Sequence, residues 1–373
     1  EDHLTPSVKD YLQRVNTTYH PYEGVTAFLQ QAPQNEYSFL YAFNINYAFA
    51  ELISEACIGS WTPEQGLSPI TSWRAHKNEA EIAGFRRAMQ HDGVAMVRFH
   101  RELDEKVADG SINQETEWSI SERLEEIRAE HPEYRGLSFA TIAGYAGNGA
   151  IVHYEATAED HAQLSSKSFL LLDSGAHYVS GTTDITRTIP LGVLSDEEKK
   201  AYTLVLKGMI QLSMAHFPAG TTGLALDFAA RQSMWREGYD FGHGTGHGVG
   251  SHLCVHEGPH QIRKDRRAAT EVPFQVGMTV SNEPGIYVAD KFGVRLENVL
   301  VAQPAQQTPF GNFLKFETLT LCPLDLDPIV VEMLEPSERQ WLNAYHEVVR
   351  AELLPLLSDE KDKEWLLQAT KAL

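Results

Sequence analysis

The chain has 373 residues, of which 42% are hydrophobic, 10% aromatic and 22% charged, a composition typical of soluble globular proteins. It carries 31 basic and 51 acidic residues, which give a formal net charge of −20. Nucleic acids and anionic membranes attract basic surfaces, so this charge excludes both as the main partner.

The first seventy or so residues mix polar stretches with short apolar runs, and helices are predicted after them, up to residue 130. Residues 58–69 contain two glycines and two prolines, which indicates a linker. Apolar residues at helical spacing predict a helix over 77–107. A second amphipathic segment predicts a helix over 116–130, ended by Pro132. Short apolar or β-branched runs then predict strands over 139–143, 168–172 and 186–190.

The second half of the chain returns to helix, then strands, then helix. Ser195 and Glu198 form a capping box, which predicts a helix that ends near residues 218–220. Another helix is predicted over 224–236. Strands are predicted over 278–282, 294–302 and 314–321, and helices over 337–356 and 360–370.

The cysteines bear on the cellular compartment. Only Cys57, Cys254 and Cys322 occur, an odd number with wide spacing. A disulfide framework is therefore not expected, and a cytoplasmic location is predicted. No apolar run approaches the length of a membrane span.

Two aspartates follow strand-like segments. Asp173 ends the run Phe169-Leu-Leu-Leu172, and Asp184 ends Gly181-Thr-Thr-Asp184. A hairpin between them would bring both carboxylates to one place. The pair alone identifies no site, because an aspartate at a strand end commonly forms a turn or a cap.

A histidine- and glycine-rich segment gives a stronger indication of function. Five of the 16 histidines lie between residues 243 and 260, at His243, His247, His252, His256 and His260. Alternating glycines from 242 to 250 disfavour a helix and allow close approach of the backbone. Histidine is the commonest metal ligand and acid–base residue, so a functional site is favoured over a solvated loop.

Part of this segment imitates a zinc-protease motif. His256-Glu-Gly-Pro-His260 matches H-E-x-x-H, which requires both histidines on one face of a helix. Gly258 and Pro259 would break such a helix, so this interpretation is rejected. His252 and His260 are expected to be structural or exposed to solvent.

Two further carboxylates complete a possible ligand set. Glu283 ends a β-like run before a proline, and Glu297 follows Arg295 by two residues on a predicted strand, hence on the same face. A plain ion pair between Arg295 and Glu297 is an alternative interpretation. Together with the earlier residues they make four carboxylates and one imidazole, which suit Mn²⁺, Co²⁺, Fe²⁺ or Zn²⁺.

In their order along the chain, these residues resemble the ligands of the pita-bread metallopeptidases, which include methionine aminopeptidase, prolidase and aminopeptidase P. Several segments are most similar to the three-domain Xaa-Pro aminopeptidases: 141–154, Leu172-Asp-Ser-Gly-Ala-His-Tyr178, 181–188, 242–250, 255–259, and parts of the tail after residue 317. The histidine-rich segment and the tail do not suit methionine aminopeptidase. The resemblance extends from Ser68 to the C-terminus.

The resemblance implies a fold and a domain organisation. The expected fold is α+β, a pita-bread fold with a C-terminal helical extension. Residues 1–67 would be the remnant of a creatinase-like domain with its linker, 68–330 the catalytic domain and 331–373 the extension. The chain would then be the C-terminal part of a longer protein, and the family suggests a homodimer.

The resemblance also implies roles for individual residues. Two divalent ions, most readily Mn²⁺ with Co²⁺ or Zn²⁺ as alternatives, would be held by Asp173, Asp184, His247, Glu283 and Glu297. The catalytic set would be His153, His243, His256, Glu283 and Arg295. Glu283 would handle the proton, His256 and His153 would contact the substrate carbonyl and amide, His243 would assist proton movement, and Arg295 would steady the carboxylates.

The implied reaction is release of the N-terminal residue from peptides with proline in the second position. A hydroxide held between the two metal ions would attack the carbonyl before proline. Two alternatives remain: a dipeptidase specific for Xaa-Pro, which would use the same ligands, and a catalytically inactive binding module with this fold.

Overall fold

The computed structural model describes residues 4–31, 46–48, 50–51 and 69–373. Residue contacts divide the chain into two units, Glu1–Ser72 and Trp73–Leu373. The predicted linker over 58–69 lies outside the described residues except for Pro69, and so does the predicted domain boundary after residue 67. In the first unit, helix α1 (Pro6–Arg14) begins after Thr5, whose hydroxyl accepts a hydrogen bond from the Val8 amide.

Capping residues fix the start of the main helices. Asn78 and Glu81 form a capping box at the first long helix, and Ser195 and Glu198 form the predicted one. The described helices are α1, α2 (Gly24–Gln31), α3 (Pro69–Ala75), α4 (Glu79–Asp109), α5 (Glu117–Ala129), α6 (Asp196–Ser213), α7 (Gly223–Arg236), α8 (Pro336–Leu353) and α9 (Glu360–Ala369). Within the described part of the chain, none of them is both long and apolar enough to cross a membrane.

The strands form several small antiparallel sheets. The strands are β1 (Tyr134–Leu137), β2 (Ile142–Tyr145), β3 (Phe169–Ser174), β4 (Ala176–Tyr178), β5 (Gly181–Thr182), β6 (Ile185–Pro190), β7 (His216–Pro218), β8 (Gly246–His247), β9 (Gln261–Ile262), β10 (Thr279–Asn282), β11 (Gly285–Val288), β12 (Phe292–Arg295), β13 (Asn298–Thr308) and β14 (Gly311–Thr318). They pair in the orders β2-β3-β6, β1-β4-β5, β10-β13-β14-β7, β11-β12 and β8-β9.

Strand β3 lies at the centre of the core. Its alternate residues Leu170 and Leu172 belong to an apolar cluster with Met96 and Phe99 of α4, as expected for one face of a strand. Phe169 instead stacks on Tyr202 of α6, with ring centroids 5.9 Å apart. Because helices cover both faces, the carboxyl end of β3 is held inside the protein.

One predicted strand is wrong in its extent. The segment 294–302 was expected to be continuous, but it divides into β12 and β13, with Leu296 and Glu297 between them. The chain changes partner there, because Arg295 pairs with Gly285 of β11 whereas Asn298 pairs with Asn282 of β10. Glu297 therefore occupies the junction of two sheets.

Two smaller differences concern strand positions. The strand predicted over 139–143 begins at Ile142, because pairing with β3 starts opposite Asp173. The strand β7 was not predicted, since the turn residues Pro218 and Gly220 indicated only the end of a helix. It pairs at the edge of its sheet with β14, where a terminal proline is tolerated.

Candidate metal centre

A pocket of about 660 Å³ contains every residue for which the sequence predicted a catalytic or metal-binding role. These residues are His153, Asp173, Asp184, His243, His247, His256, Glu283, Arg295 and Glu297. The two histidines expected to be structural do not line it. His260 is completely buried and its Nε2 contacts the Thr279 carbonyl at 2.8 Å, while His252 contacts the Tyr178 carbonyl.

The four carboxylates come from the ends of two strand pairs. Asp173 in β3 lies opposite Thr186 of β6, and Asp184 comes just before β6. Glu283 directly follows β10, and Glu297 directly precedes β13, where these two strands pair. The fold therefore brings the four carboxylates together, although they are spread over residues 173 to 297 of the sequence.

The ring of His247 is oriented so that one nitrogen faces the carboxylates. Its Nδ1 lies 3.0 Å from the Gly248 carbonyl and donates to it. Its Nε2 then lies 3.4 Å from Asp184 Oδ2 and 3.5 Å from Glu283 Oε1. One potential ligand atom from each of Asp184, His247 and Glu297 lies within 4.8 Å of the others.

Burial shifts the pKa values of this group strongly. It raises the pKa of Asp184, raises that of Glu283 to about 7 and raises that of Glu297 well above its ordinary value. Burial alone would lower the pKa of His247, but its hydrogen bond with Asp184 and the charge of Glu283 outweigh burial and raise it to about 9. The carboxylates repel one another, and bound cations would relieve that repulsion.

The donor set fits divalent cations. Asp173 Oδ1 is buried and has no hydrogen-bond partner among the described residues. Such an orphaned oxygen is costly unless something compensates it. Four carboxylates with one imidazole nitrogen match the hard and borderline ions of the first transition row.

Arg295 contacts Asp173, not Glu297. Its Nη2 lies 2.6 Å from Asp173 Oδ2, and its Nη1 donates to the Tyr287 hydroxyl at 2.8 Å. The same hydroxyl lies 2.8 Å from His243 Nε2. The alternative interpretation, an ion pair between Arg295 and Glu297, is wrong. Arg295 ends β12 beside Asp173 of β3, whereas the Glu297 side chain is turned toward Thr186 of β6.

Burial favours the neutral form of His243. Its Nδ1 donates to the Gly244 carbonyl at 2.7 Å, so Nε2 accepts from the Tyr287 hydroxyl. Burial lowers the pKa of His243 to about 3. Tyr287 was missed by the sequence analysis, and no local pattern around it indicates this role.

Two hydroxyl side chains hold the glutamates. Thr186 Oγ1 donates to Glu297 Oε2 at 2.7 Å, and Ser281 Oγ donates to Glu283 Oε1 at 3.1 Å. Ser281 Oγ also accepts from the His247 amide at 3.0 Å. The sequence analysis predicted a role for neither residue, although each stands two positions from a predicted ligand.

The rejection of the zinc-protease motif is confirmed. No helix covers residues 252–260. The His256 ring meets the His247 ring edge-on, with centroids 4.3 Å apart, whereas His260 is buried elsewhere. His256 and His153 are both exposed while lining the pocket, so a bound molecule can reach them.

The glycines beside His247 allow a specific test. A Cβ on Gly246 would lie 1.9 Å from the Ser281 carbonyl oxygen, whereas a Cβ on Gly242 would meet nothing within 4 Å. We expect Gly246→Ala to displace His247 and to weaken divalent-cation affinity about 10- to 100-fold, as loss of an orienting contact does. Gly242→Ala should leave affinity unchanged. Calorimetric titration with Mn²⁺ checks both, and equal affinities would contradict the expectation.

Comparison with known proteins places these features in context. The model of metallopeptidase family M24 matches residues 83–304, and that of the C-terminal region of M24 peptidases matches residues 312–373. A probable Xaa-Pro aminopeptidase P of Laccaria bicolor is 44% identical over 303 residues, which are 80% of this chain and 47% of that protein. Another, of Aspergillus niger, is 39% identical over 382 residues, 100% of this chain and 61% of that protein.

A solved structure agrees with these matches. The crystal structure of X-prolyl aminopeptidase from Caenorhabditis elegans, termed a cytosolic enzyme with a di-nuclear active site, has a TM-score of 0.87 and 30% identity. It covers 99% of this chain, which spans 60% of that one. The predicted α+β pita-bread fold with a C-terminal helical extension is confirmed. The chain spans less than two thirds of each of these three relatives.

Proposed function

The chain belongs to metallopeptidase family M24, and we propose that it is an aminopeptidase that releases the N-terminal residue from peptides with proline in the second position. The observation that carries this proposal is the convergence of four carboxylates and an imidazole nitrogen in one pocket beside two exposed histidines. The similarity to proteins named Xaa-Pro aminopeptidase P supports the choice of substrate.

The proposed metal ligands are Asp173, Asp184, His247, Glu283 and Glu297, for two divalent cations. The buried carboxylates with raised pKa values support this set, as does Asp173 Oδ1, which has no hydrogen-bond partner among the described residues. Mn²⁺ is the first choice, with Co²⁺ or Zn²⁺ as alternatives. Cations bound there would polarise a carbonyl and lower the pKa of water.

Glu283 is the proposed proton carrier. Its side chain is 18% exposed, whereas that of Asp184 is 5% exposed, so Glu283 reaches the open part of the pocket. It would accept a proton from the attacking water and deliver it to the departing proline nitrogen. Arg295 would hold Asp173 in place through their 2.6 Å contact.

The histidines have distinct proposed roles. His256 and His153 would donate hydrogen bonds to the scissile carbonyl and the neighbouring amide, since both are exposed in the pocket. His243 keeps its proposed part in proton movement through the Tyr287 hydroxyl, which joins it to Arg295.

Selectivity for proline is supported by the apolar side of the pocket. Phe139, Ile142 and Val152 line it together with the polar groups. A proline ring would fill an apolar slot, and the bond before proline has no N–H for ordinary peptidases to bind. Burial of the proline ring in this slot would therefore select the substrate in place of the hydrogen bond that an N–H would make.

The proposal is tested by assaying Xaa-Pro-Xaa and Xaa-Pro peptides in Mn²⁺, Co²⁺ and Zn²⁺. We expect cleavage of the tripeptide after its first residue in at least one metal. Turnover of the dipeptide alone would favour the dipeptidase alternative. Cation binding without turnover of either would favour the binding module.

Three further features are proposed together. We infer a homodimer, which light scattering would detect as twice the chain mass of 41.7 kDa. A cytoplasmic location is supported by the cytosolic relative from Caenorhabditis elegans.

The domain division into residues 1–67, 68–330 and 331–373 also stays a proposal. If it is right, limited proteolysis should cut the chain near residues 67 and 330.

A further inference from the structure

Glu257 is the glutamate of the rejected H-E-x-x-H match, and the proposed reaction does not use it. It does not line the pocket. One carboxylate oxygen lies 2.8 Å from Lys77 Nζ, and the other contacts the Arg74 guanidinium. The side chains of Glu257 and Lys77 are 9% and 1% exposed, so this is a buried ion pair.

Lys77 is itself fixed by the backbone around it. Its amide donates to the Gly277 carbonyl at 3.1 Å. A Cβ on Gly277 would lie 2.6 Å from the Lys77 carbonyl oxygen, and the φ of Gly277 is +87°, so only glycine suits this close approach. Burial lowers the pKa of Lys77, while the neighbouring Glu257 carboxylate opposes that shift. The ammonium therefore has a fixed position from which to hold Glu257.

Glu257 also joins the two histidine segments through its backbone. Its amide donates to the Gly248 carbonyl at 2.7 Å. A Cβ on Gly248 would lie 2.0 Å from the Glu257 carbonyl oxygen. Because Gly248 follows His247 and Glu257 follows His256, this contact lies beside both rings, whose planes meet at 82°.

The turn that precedes His256 has an unfavourable backbone conformation and requires contacts that stabilise it. Leu253 and Cys254 have φ values of 60° and 51°, in a region that residues with a Cβ rarely adopt. Such conformations persist only where the surroundings enforce them. The Gly250 amide donates to the Cys254 carbonyl at 3.0 Å, and the buried Thr182 hydroxyl donates to the Leu253 carbonyl at 3.4 Å. On the far side of His256, the Glu257 carboxylate anchors the chain through its contact with Lys77.

We propose that Glu257 and Lys77 are positioning residues that hold His256 against His247, so that the imidazole of His256 meets the substrate carbonyl. This inference rests on the proposed function for the role of His256. The anchoring of the segment by the ion pair does not depend on it. Removal of one partner would leave a buried charge uncompensated, and the turn would move to expose that charge to water.

The test compares Glu257→Gln and Lys77→Arg with the full chain. Hydrogen exchange of amides 248–257, bound metal, and kcat and KM on an Xaa-Pro-Xaa peptide are measured for each. For Glu257→Gln we expect exchange at least about tenfold faster in this segment and kcat lower by about 10- to 100-fold, as for a misplaced group. KM should change less than about threefold, because the ground state loses little binding. Bound metal should stay unchanged, and Lys77→Arg should retain most of the parent values.

A matched control and a second variant keep stability apart from positioning. Glu338→Gln breaks another lysine–glutamate pair, in which Lys207 Nζ lies 2.6 Å from Glu338 Oε2. It should leave kcat and the exchange of amides 248–257 unchanged. The double variant Lys77→Met/Glu257→Met replaces the charges by apolar groups and should fold normally, yet still show the faster exchange and the lower kcat.

The outcomes separate this inference from the proposed function. Parent-like exchange of amides 248–257 in Glu257→Gln and in the double variant would overturn the anchor, whatever the peptidase activity. Faster exchange with an unchanged kcat would overturn the positioning role. If the parent chain itself cleaves no peptide, the proposed function fails while the exchange measurement still decides the anchor.

Discussion

Asp184→Ala should abolish both peptide cleavage and the binding of at least one divalent ion per chain. The carboxylate lies 3.4 Å from His247 Nε2 and belongs to the group whose ligand atoms lie within 4.8 Å of one another. Loss of contacts that merely orient a ligand costs about 10- to 100-fold in metal affinity, so loss of a ligand should cost at least about 100-fold. Glu297→Ala should behave in the same way.

Metal content measured by mass spectrometry checks this prediction. The parent chain should hold up to two Mn²⁺ ions after dialysis, and Asp184→Ala should hold one or none. His252→Ala is the control, since that residue lies outside the pocket and contacts the Tyr178 carbonyl. Full metal occupancy in both Asp184→Ala and Glu297→Ala would show that the ligand assignment is wrong.

Arg187→Met should strongly lower the free energy of unfolding. Arg187 is completely buried in β6 and donates to the Glu297 carbonyl at 2.7 Å and the Cys322 carbonyl at 2.8 Å. Further contacts reach Asn298 Oδ1 at 2.9 Å and the Tyr345 hydroxyl at 3.1 Å. The Cys322 carbonyl would keep its hydrogen bond from the Tyr345 hydroxyl. Each of the other buried acceptors left unpaired costs about 1–3 kcal/mol, so the free energy of unfolding should fall by about 3 kcal/mol or more.

Urea denaturation measures this loss, and Arg123→Met is the control. Arg123 pairs with Glu102 but is 37% exposed, so its replacement should cost less than about 1 kcal/mol. Equal midpoints for the two variants would contradict the role given to Arg187. Arg187 joins Glu297 to Tyr345 of the C-terminal extension. If Arg187→Met lowered the Mn²⁺ affinity as well as the urea midpoint, the extension would also help to position Glu297.

Local signals explain what the sequence analysis predicted well. The helix over 116–130 was found within a residue at each end, because Thr116 caps it and its apolar spacing is regular. The start of α4 was placed two residues early, although Asn78 and Glu81 carry the capping-box pattern.

Contacts distant in the chain could not be predicted in the same way. Arg295 and Asp173 are 122 positions apart, and their pairing depends on how β12 packs beside β3. Tyr287 reaches the site only because β11 and β12 form a hairpin that ends at Arg295. The five candidate metal ligands follow from the residue pattern, and the roles of His153, His243 and His256 follow from the family resemblance. The contacts of Thr186, Ser281 and Lys77 depend on the packing of distant segments, which the sequence does not reveal.

Anomalous diffraction from crystals grown with Mn²⁺ tests the central claim most directly. We predict two peaks in the pocket, about 3.5–4 Å apart as in other two-metal sites, with Asp173, Asp184, His247, Glu283 and Glu297 at coordinating distance. A single peak would reduce the site to one ion. The absence of any peak in the pocket, or peaks that none of these five residues coordinates, would contradict the account.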